Sequence, residues 1–145
     1  MTARGRLSLI LFSGDYDRVH YALVMASAAA ATGRPTTLFL TMGALRLLRT
    51  EHPGGLPGWG ALAASPEGIT ALERDARHAQ DGLATLEELI AACVEFGVAV
   101  SVCEMGLKAE GLSRADLRSD VPLSEGGMVS FLAEAERDGG RIVFI

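Results

Sequence analysis

The residue of this chain best suited to covalent chemistry is Cys103. It follows an apolar run at residues 98–102 and precedes a short segment that contains Gly106. An apolar run of this length, interrupted only by Ser101, is typical of a strand that is buried on both faces. The pattern therefore predicts that the thiol lies at the carboxyl end of a strand, where open α/β sheets bind their ligands. A thiolate in that position could act as a nucleophile.

The residues alone leave two interpretations of the Cys103 thiol open. Free cysteine is among the most buried residue types, so the thiol could be inert and packed in the core. A helix that begins directly after Cys103 would instead stabilise the thiolate, although the neighbouring Glu104 would oppose that effect. The accessibility of the thiol in the folded protein decides between the two.

Cys93 occupies a different kind of position. With Leu89 and Ile90 it lies on the apolar stripe of an amphipathic helix predicted over residues 83–96. A helix rises ~1.5 Å per residue and a strand ~3.3 Å, so the two cysteines are offset by more than the ~7 Å Cα separation that a disulfide allows. We therefore expect Cys93 in the core and no disulfide or resolving pair with Cys103.

Two further segments are expected at the same edge of the sheet as Cys103. One follows an apolar run at residues 7–12 and the other follows a run at residues 36–40. Because the carboxyl ends of parallel strands meet at one edge, these segments should lie near the thiol. The segment after residues 7–12 has one glycine, two carboxylates and no lysine, and the carboxylates would repel a phosphate. A helix cap is therefore a better interpretation of this segment than a phosphate-binding loop. The residues expected to line the site are Ser13, Gly14, Asp15, Met42, Gly43 and Met105.

The order of the elements that must position these residues predicts an α/β fold, because strands and helices alternate along the chain. We expect a three-layer sandwich with a mostly parallel sheet of four or five strands and helices on both faces. The absence of two-residue hairpin signals supports parallel pairing. The predicted strands are residues 7–12, 36–40, 98–102 and 141–145, and the main predicted helices are residues 16–32, 83–96 and 126–138.

We expect a single domain over residues 1–145, with an insertion at residues 51–82 made of an irregular loop and a weak helix. Trp59 and Leu62 lie in the glycine- and proline-rich part of this insertion. Because the loop should lie at the surface while both side chains favour burial, we expect them to fold over the site or into a subunit contact.

The predicted helix at residues 16–32 is apolar nearly all round between Ala22 and Ala26. A helix in a small domain buries one side against its sheet, so the remaining apolar side predicts a partner surface and a homo-oligomer. The alternative is an alanine-rich face that tolerates solvent.

The composition limits the classes of partner and cofactor. The chain has 145 residues, a net charge of −5 and no basic cluster, which argues against binding to nucleic acid or to an anionic membrane surface. Its two cysteines make no disulfide framework, and its three scattered histidines make no tetrahedral metal set, so we expect neither a metal nor an organic cofactor. The apolar runs are shorter than the ~20 residues of a membrane span. With no signal cleavage site after residues 7–12, we expect a cytoplasmic protein without a membrane span.

Four segments, taken in order, give the chain its resemblance to a known family. They are Ser-Gly-Asp-Tyr-Asp-Arg at 13–18, Phe-Leu-Thr-Met-Gly at 39–43, Cys-Glu-Met at 103–105 with Gly111 and Leu112, and Gly126-Gly127 with Phe131-Leu132. Together they are similar to the DsrE/DsrF/DsrH-like proteins, small α/β domains associated with sulfur transfer. The resemblance implies a cysteine that can carry sulfane sulfur as a persulfide, and that role falls on Cys103.

Two functions from different classes follow. The first is a sulfur carrier or sulfurtransferase-like protein, whose partner is a sulfur donor or acceptor protein or a small sulfane-sulfur compound. The second is a non-enzymatic oligomeric module that binds a small molecule or a protein and merely packs its thiol. A thiol peroxidase is disfavoured, because the sequence has no T-x-x-C-like motif and no resolving cysteine. An exposed Cys103 in a concave site favours the first function, and a fully buried Cys103 favours the second.

Overall fold

The computed structural model describes residues 4–52 and 54–145, so residues 1–3 and 53 of the predicted domain lie outside the described residues. The strands are β1 (Leu7–Leu11), β2 (Thr36–Leu40), β3 (Glu51–His52), β4 (Leu56–Pro57), β5 (Ala99–Cys103), β6 (Leu123–Gly126) and β7 (Arg141–Phe144). The α-helices are α1 (Tyr16–Ala31), α2 (Ala71–Gln80), α3 (Leu86–Glu95), α4 (Glu104–Ala109) and α5 (Met128–Ala135). Short 3-10 helices cover Met42–Leu48, Gly58–Ala61, Arg114–Asp116 and Arg137–Gly139.

Five of the strands form one sheet in the order β6-β5-β2-β1-β7, and all four neighbouring pairs are parallel. β3 and β4 form a separate antiparallel pair within the insertion. The prediction of an α/β fold with a parallel sheet of four or five strands is therefore confirmed.

Helices cover both faces of the large sheet. On one face, α1 and α3 pack on side chains such as Leu9, Leu38 and Val100 to form the main core. On the other face, Phe131 of α5 packs on Phe39. We call these the α1–α3 face and the α5 face. Because both faces are covered, all five residues of β1 are buried, which explains why its sequence is apolar except for Ser8.

The ends of α1 follow local capping rules. The side chain of Asp15 accepts a hydrogen bond from the backbone N–H of Arg18 at 3.3 Å, as expected of an N-cap residue. Gly33 directly follows the C-cap with φ of +82°, a conformation that glycine adopts without strain.

α3 packs along α1, so part of the apolar surface that the sequence suggested for a partner is covered within the chain. The prediction of a homo-oligomer stays a prediction.

The insertion packs differently from the expectation. Trp59 is only 4% exposed, its ring lies 6.4 Å from that of Tyr16, and its indole N–H donates to Glu87 of α3 at 3.1 Å. These contacts place it on the α1–α3 side, whereas Cys103 packs on the α5 face. The prediction that Trp59 folds over the Cys103 site is wrong, because the indole is covered by the protein's own core. Leu62 is buried in the same core.

No helix within the described ranges combines the length and the apolar character that spanning a membrane requires.

Candidate functional site

Cys103 is the last residue of β5, at the carboxyl edge of the sheet. Gly126 of β6 is its register partner on one side, and on the other side β5 pairs with β2 as far as Val102 and Leu40. Thr41, the residue after β2, is therefore the nearest neighbour of Cys103 on that strand.

The connections that leave β5 and β6 run to opposite faces of the sheet. After β5 the chain enters α4 and a loop whose Leu107, Leu117 and Val121 are buried in the core of the α1–α3 face. After β6 it enters α5 on the other face. This divergence is a topological switch point, the position where open α/β sheets form a ligand crevice. Cys103 and Gly126 are the residues that face each other across it.

The two thiols have contrasting surroundings, and both are free. Cys103 is partly exposed and packs against Phe39 and Phe131 on the α5 face. Cys93 is only 2% exposed in the core of the opposite face, and its burial raises the pKa of its thiol to about 11. The structure thus places the sheet between the two cysteines, in agreement with the expectation that they form no pair.

A hollow of about 170 Å³ lies between β5, β6 and α5, and Cys103 is not among the described residues that line it. We call it the serine slot, because Ser101, Ser124 and Ser130 line it together with Phe39 and Phe131. Ser101 and Ser124 are register partners on neighbouring strands. The serine slot was not predicted from the sequence, where its one signal is the serine that interrupts the apolar run before Cys103.

Five of the six residues predicted to line the site line a second hollow, an open cleft of about 480 Å³. We call it the loop cleft. Neither Cys103 nor Met105 is among the described residues that line it, and 69% of the Met105 surface is exposed. The predicted residues in the cleft are Ser13, Gly14, Asp15, Met42 and Gly43, joined by Phe12, Arg18, Arg46, Ala63 and Glu110.

The two loops that form the cleft touch through their backbones. A methyl group added to Gly43 would lie 3.1 Å from the Cα and N atoms of Gly14, and one added to Gly14 would lie 3.2 Å from the backbone of Gly43. Between the strand end and this contact, Met42 has φ of +50°, a left-handed conformation that is uncommon for a side chain other than glycine. Such outliers cluster at functional sites.

Gly106 connects the cleft with the Cys103 segment. A methyl group at this position would lie 2.6 Å from the hydroxyl oxygen of Thr41 and 2.8 Å from the backbone nitrogen of Met42. Only glycine lets α4, which starts directly after Cys103, pack this closely on the loop after β2. At the other end of α4, Glu110 forms an ion pair with Arg46 at 3.5 Å. The sequence analysis did not single out either of these charged residues.

A polar cluster that the sequence analysis also missed lies on the α1–α3 face. The Tyr16 hydroxyl donates to Asp75 at 2.7 Å and lies 3.1 Å from Nδ1 of His78, whose ring centroid lies 4.4 Å from that of His20 with the two rings tilted. Asp75 also accepts from the backbone N–H of Leu86 at 2.8 Å. Burial, with the nearby His20 next in importance, lowers the pKa of His78. The sheet separates this cluster from the Cys103 side chain, so neither histidine is a base for the thiol.

The described residues contain no group of three or more histidine, cysteine, aspartate or glutamate side chains arranged to hold a metal ion.

Comparison with known proteins gives weak similarity in sequence and clear similarity in fold. No family model matches the chain. The chain is 28% identical over 157 residues to the uncharacterized protein YrkE of Bacillus subtilis (strain 168), covering 97% of this chain and 96% of YrkE. It is 25% identical over 129 residues to the sulfur carrier protein DsrE2 of Allochromatium vinosum, covering 77% of this chain and 81% of DsrE2.

Solved structures extend the similarity in fold. The ychN protein of E. coli and the protein MTH1491 of Methanobacterium thermoautotrophicum each align with a TM-score of 0.58 at 13% identity, covering 98% of this chain and 100% of theirs. At this identity the likeness shows the fold alone. Together with the sequence similarity to DsrE2, it supports the DsrE-like resemblance at a coarse level.

Proposed function

We propose that this protein is a sulfur carrier in which Cys103 accepts sulfane sulfur as a persulfide and passes it to an acceptor thiol. The observation that carries the proposal is the position of the thiol. Cys103 is partly exposed at the switch point of the sheet, whereas Cys93 is buried in the core. The similarity to a protein named as a sulfur carrier supports the same reading.

The transfer is a thiol–disulfide type of exchange. The Cys103 thiolate attacks the outer sulfur of a donor R–S–SH, so that a new S–S bond forms at Cys103 while the S–S bond of the donor breaks. The donor leaves as the thiolate R–S⁻ with the electron pair of the broken bond. An acceptor thiolate repeats the attack on the outer sulfur of the Cys103 persulfide and regenerates the Cys103 thiolate. One S–S bond is made for each that is broken, so neither an oxidant nor a reductant is consumed.

The surroundings of Cys103 suit a carrier. Cys103 packs against the apolar cluster that contains Phe39 and Phe131, which limits the access of water to a bound persulfide, and its partial exposure leaves the thiol accessible to a partner. Gly126 at the end of the neighbouring strand and Gly127 directly after it present no side chain that would obstruct a docking group. Free thiols persist in the reducing cytoplasm, which is where we expect the carrier to act.

Mass spectrometry of the protein after incubation with a persulfide donor tests the proposal. Inorganic polysulfide and an uncharged alkyl persulfide are used in separate reactions. A failure of one donor that is caused by its charge then cannot be mistaken for an unreactive Cys103. We expect the mass of one sulfur atom on the Cys103 peptide, its loss when an acceptor thiol is added, and no addition to Cys103→Ser. Cys93→Ser is the matched control and should load normally. Absence of sulfur on Cys103 with both donors, or equal loading of Cys93, would overturn the proposal.

A further inference from the structure

The serine slot contains a small gap between two hydroxyl groups. It lies over Gly126, where a methyl group in place of the glycine hydrogen would be 3.7 Å from the hydroxyl oxygens of both Ser101 and Ser130. All three residues line the slot. We call this space the Gly126 gap. Because 3.7 Å is an ordinary van der Waals separation, the gap holds an atom about the size of a methyl group without displacing either serine.

The Gly126 gap lies one strand away from Cys103. Gly126 is the register partner of Cys103, and neighbouring strands are ~4.8 Å apart. Ser101 lies two residues before Cys103 on β5, so the two side chains point to the same face of the sheet. The thiol itself does not line the slot, but a persulfide adds a second sulfur ~2.05 Å beyond the first. This extension brings the outer sulfur within reach of the gap.

The groups around the gap suit an outer sulfur that carries its hydrogen. Ser130 donates its hydroxyl hydrogen to the carbonyl of Gly127 at 3.1 Å, so its oxygen is left as an acceptor. The hydroxyl oxygen of Ser101 also has lone pairs for a weak S–H donor. Glu125 and Glu134 line the same slot, and their negative charges disfavour the ionised form of a persulfide relative to the neutral –S–SH form.

The other charged groups near the slot do not reverse this preference. Arg6 donates to the hydroxyl of Thr37 at 2.9 Å, but Thr37 pairs with Ala99, four residues and about 13 Å before Cys103 along the strand. Glu104, directly after Cys103, adds a further negative charge at the near end. The neutral form is also the one that an acceptor thiolate attacks without repulsion between like charges.

We propose that the Gly126 gap holds the outer sulfur of the Cys103 persulfide as a neutral –S–SH group, which donates its hydrogen to the hydroxyl oxygens of Ser101 and Ser130. The inference rests on the proposed function, since it concerns the loaded state of the same thiol. The hydrogen arrives on the outer sulfur of the donor R–S–SH and stays on it. When an acceptor thiolate bonds to this sulfur, the S–S bond to Cys103 breaks and Cys103 leaves as a thiolate with the electron pair.

The alkylation of loaded and unloaded protein by iodoacetamide tests the inference. Both rates are measured by mass spectrometry of the Cys103 peptide, after loading with polysulfide or without it. Gly126→Ala fills the gap and Ser101→Ala removes one acceptor. In each variant the outer sulfur should be alkylated about threefold to tenfold faster than in the parent, the effect of one hydrogen bond. The unloaded thiol does not use the gap, so its rate should stay within about twofold of the parent.

Three control variants separate the gap from its surroundings. Ser101→Thr keeps the hydroxyl, Gly127→Ala adds a methyl group with nothing within 4 Å, and Ser124→Ala removes a slot hydroxyl two residues before Gly126. All three should match the parent. The methyl group of Gly126→Ala meets only contacts of 3.7 Å, so this variant should fold, and urea unfolding checks this. Ser101→Ala keeps the test decisive if Gly126→Ala is destabilised.

A mixed disulfide separates this inference from the carrier function. Methyl methanethiosulfonate transfers its CH₃S group to the Cys103 thiolate and releases methanesulfinate, which places a sulfur at the same position without sulfane chemistry. Dithiothreitol should remove this group at least about threefold faster from Gly126→Ala than from the parent, because a group of this size no longer packs in the gap. If polysulfide does not load Cys103 but this difference is found, the gap assignment stands and the carrier function fails. If Cys103 loads and the variants match the parent in both assays, the carrier function stands and the gap assignment is overturned.

Discussion

The contrast between the two thiols gives a quantitative prediction for alkylation. Burial raises the pKa of Cys93 to about 11, whereas an ordinary thiol has a pKa of about 8.5. At pH 8 the folded protein therefore holds roughly 200-fold fewer Cys93 thiolates than an ordinary exposed thiol would provide, and the thiolate is the reactive form. The 2% exposure of Cys93 further blocks a reagent the size of iodoacetamide.

Cys93 can also react after the protein opens, and that route is slower still. A domain of this size with an unfolding free energy of at least about 5 kcal/mol exposes its core in a fraction of roughly 2 × 10⁻⁴ of molecules. Both routes place the labelling of Cys93 at or below about one hundredth of the rate of an accessible thiol. Cys103 is partly exposed, so it should take up the reagent first.

A pulse of iodoacetamide at pH 8, followed by peptide mapping, measures both rates in the same molecule. We expect the Cys103 peptide to be labelled during the pulse and the Cys93 peptide to be labelled only in denaturant, where the two should react alike. Cys103→Ser serves as the control, since its loss should leave Cys93 just as protected. Comparable labelling of both cysteines in the native protein would refute the assignment of Cys103 as the accessible thiol.

Three further predictions concern the loop contact, the polar cluster and the assembly. Gly43→Ala places a methyl 3.1 Å from Gly14, so urea unfolding should show a loss of about 1–3 kcal/mol, while Gly127→Ala, with nothing within 4 Å, should show a much smaller change. Burial lowers the pKa of His78, so the unfolded chain binds a proton at this residue more readily than the folded protein does. The free energy of unfolding, measured by urea titration, should therefore fall as the pH drops below about 6.5. His78→Gln should make the free energy of unfolding less dependent on pH in this range. Light scattering at micromolar concentration should give a mass above that of one chain, because the aromatic pair at the ends of β1 and β7 is exposed; a monomer mass would contradict this.

The sequence predicted the central strands well because both faces of the sheet are covered. The run at residues 36–40 coincides with β2, and the run at residues 98–102 is shifted by one residue from β5. β6 was not predicted, because its four residues, Leu-Ser-Glu-Gly, lie at the edge of the sheet with serine and glycine on the thinly covered face. No apolar run or alternation marks such a strand.

The candidate site was predicted in part for a similar reason. Residues that follow parallel strands meet at one edge of the sheet, however the helices pack. Ser13 and Met42 could therefore be assigned to the same edge from their sequence positions alone. The pairing of Arg46 with Glu110 depends on how α4 packs against the loop after β2, and no local pattern encodes it. Trp59 was misplaced because burial of an indole can be inferred from its type, whereas the surface that buries it depends on the packing of distant elements.

The unpredicted strand is also what gives Cys103 its position. Without β6 the thiol would lie at the open end of an edge strand, and the only crossovers beside it would run to the α1–α3 face. With β6 in place, the chain leaves β5 toward that face and leaves β6 toward α5, so the crevice opens between Cys103 and Gly126. The loops after β1 and β2 reach the same edge, where they form the loop cleft. The fold thus brings four segments that are far apart in sequence to one edge of the sheet.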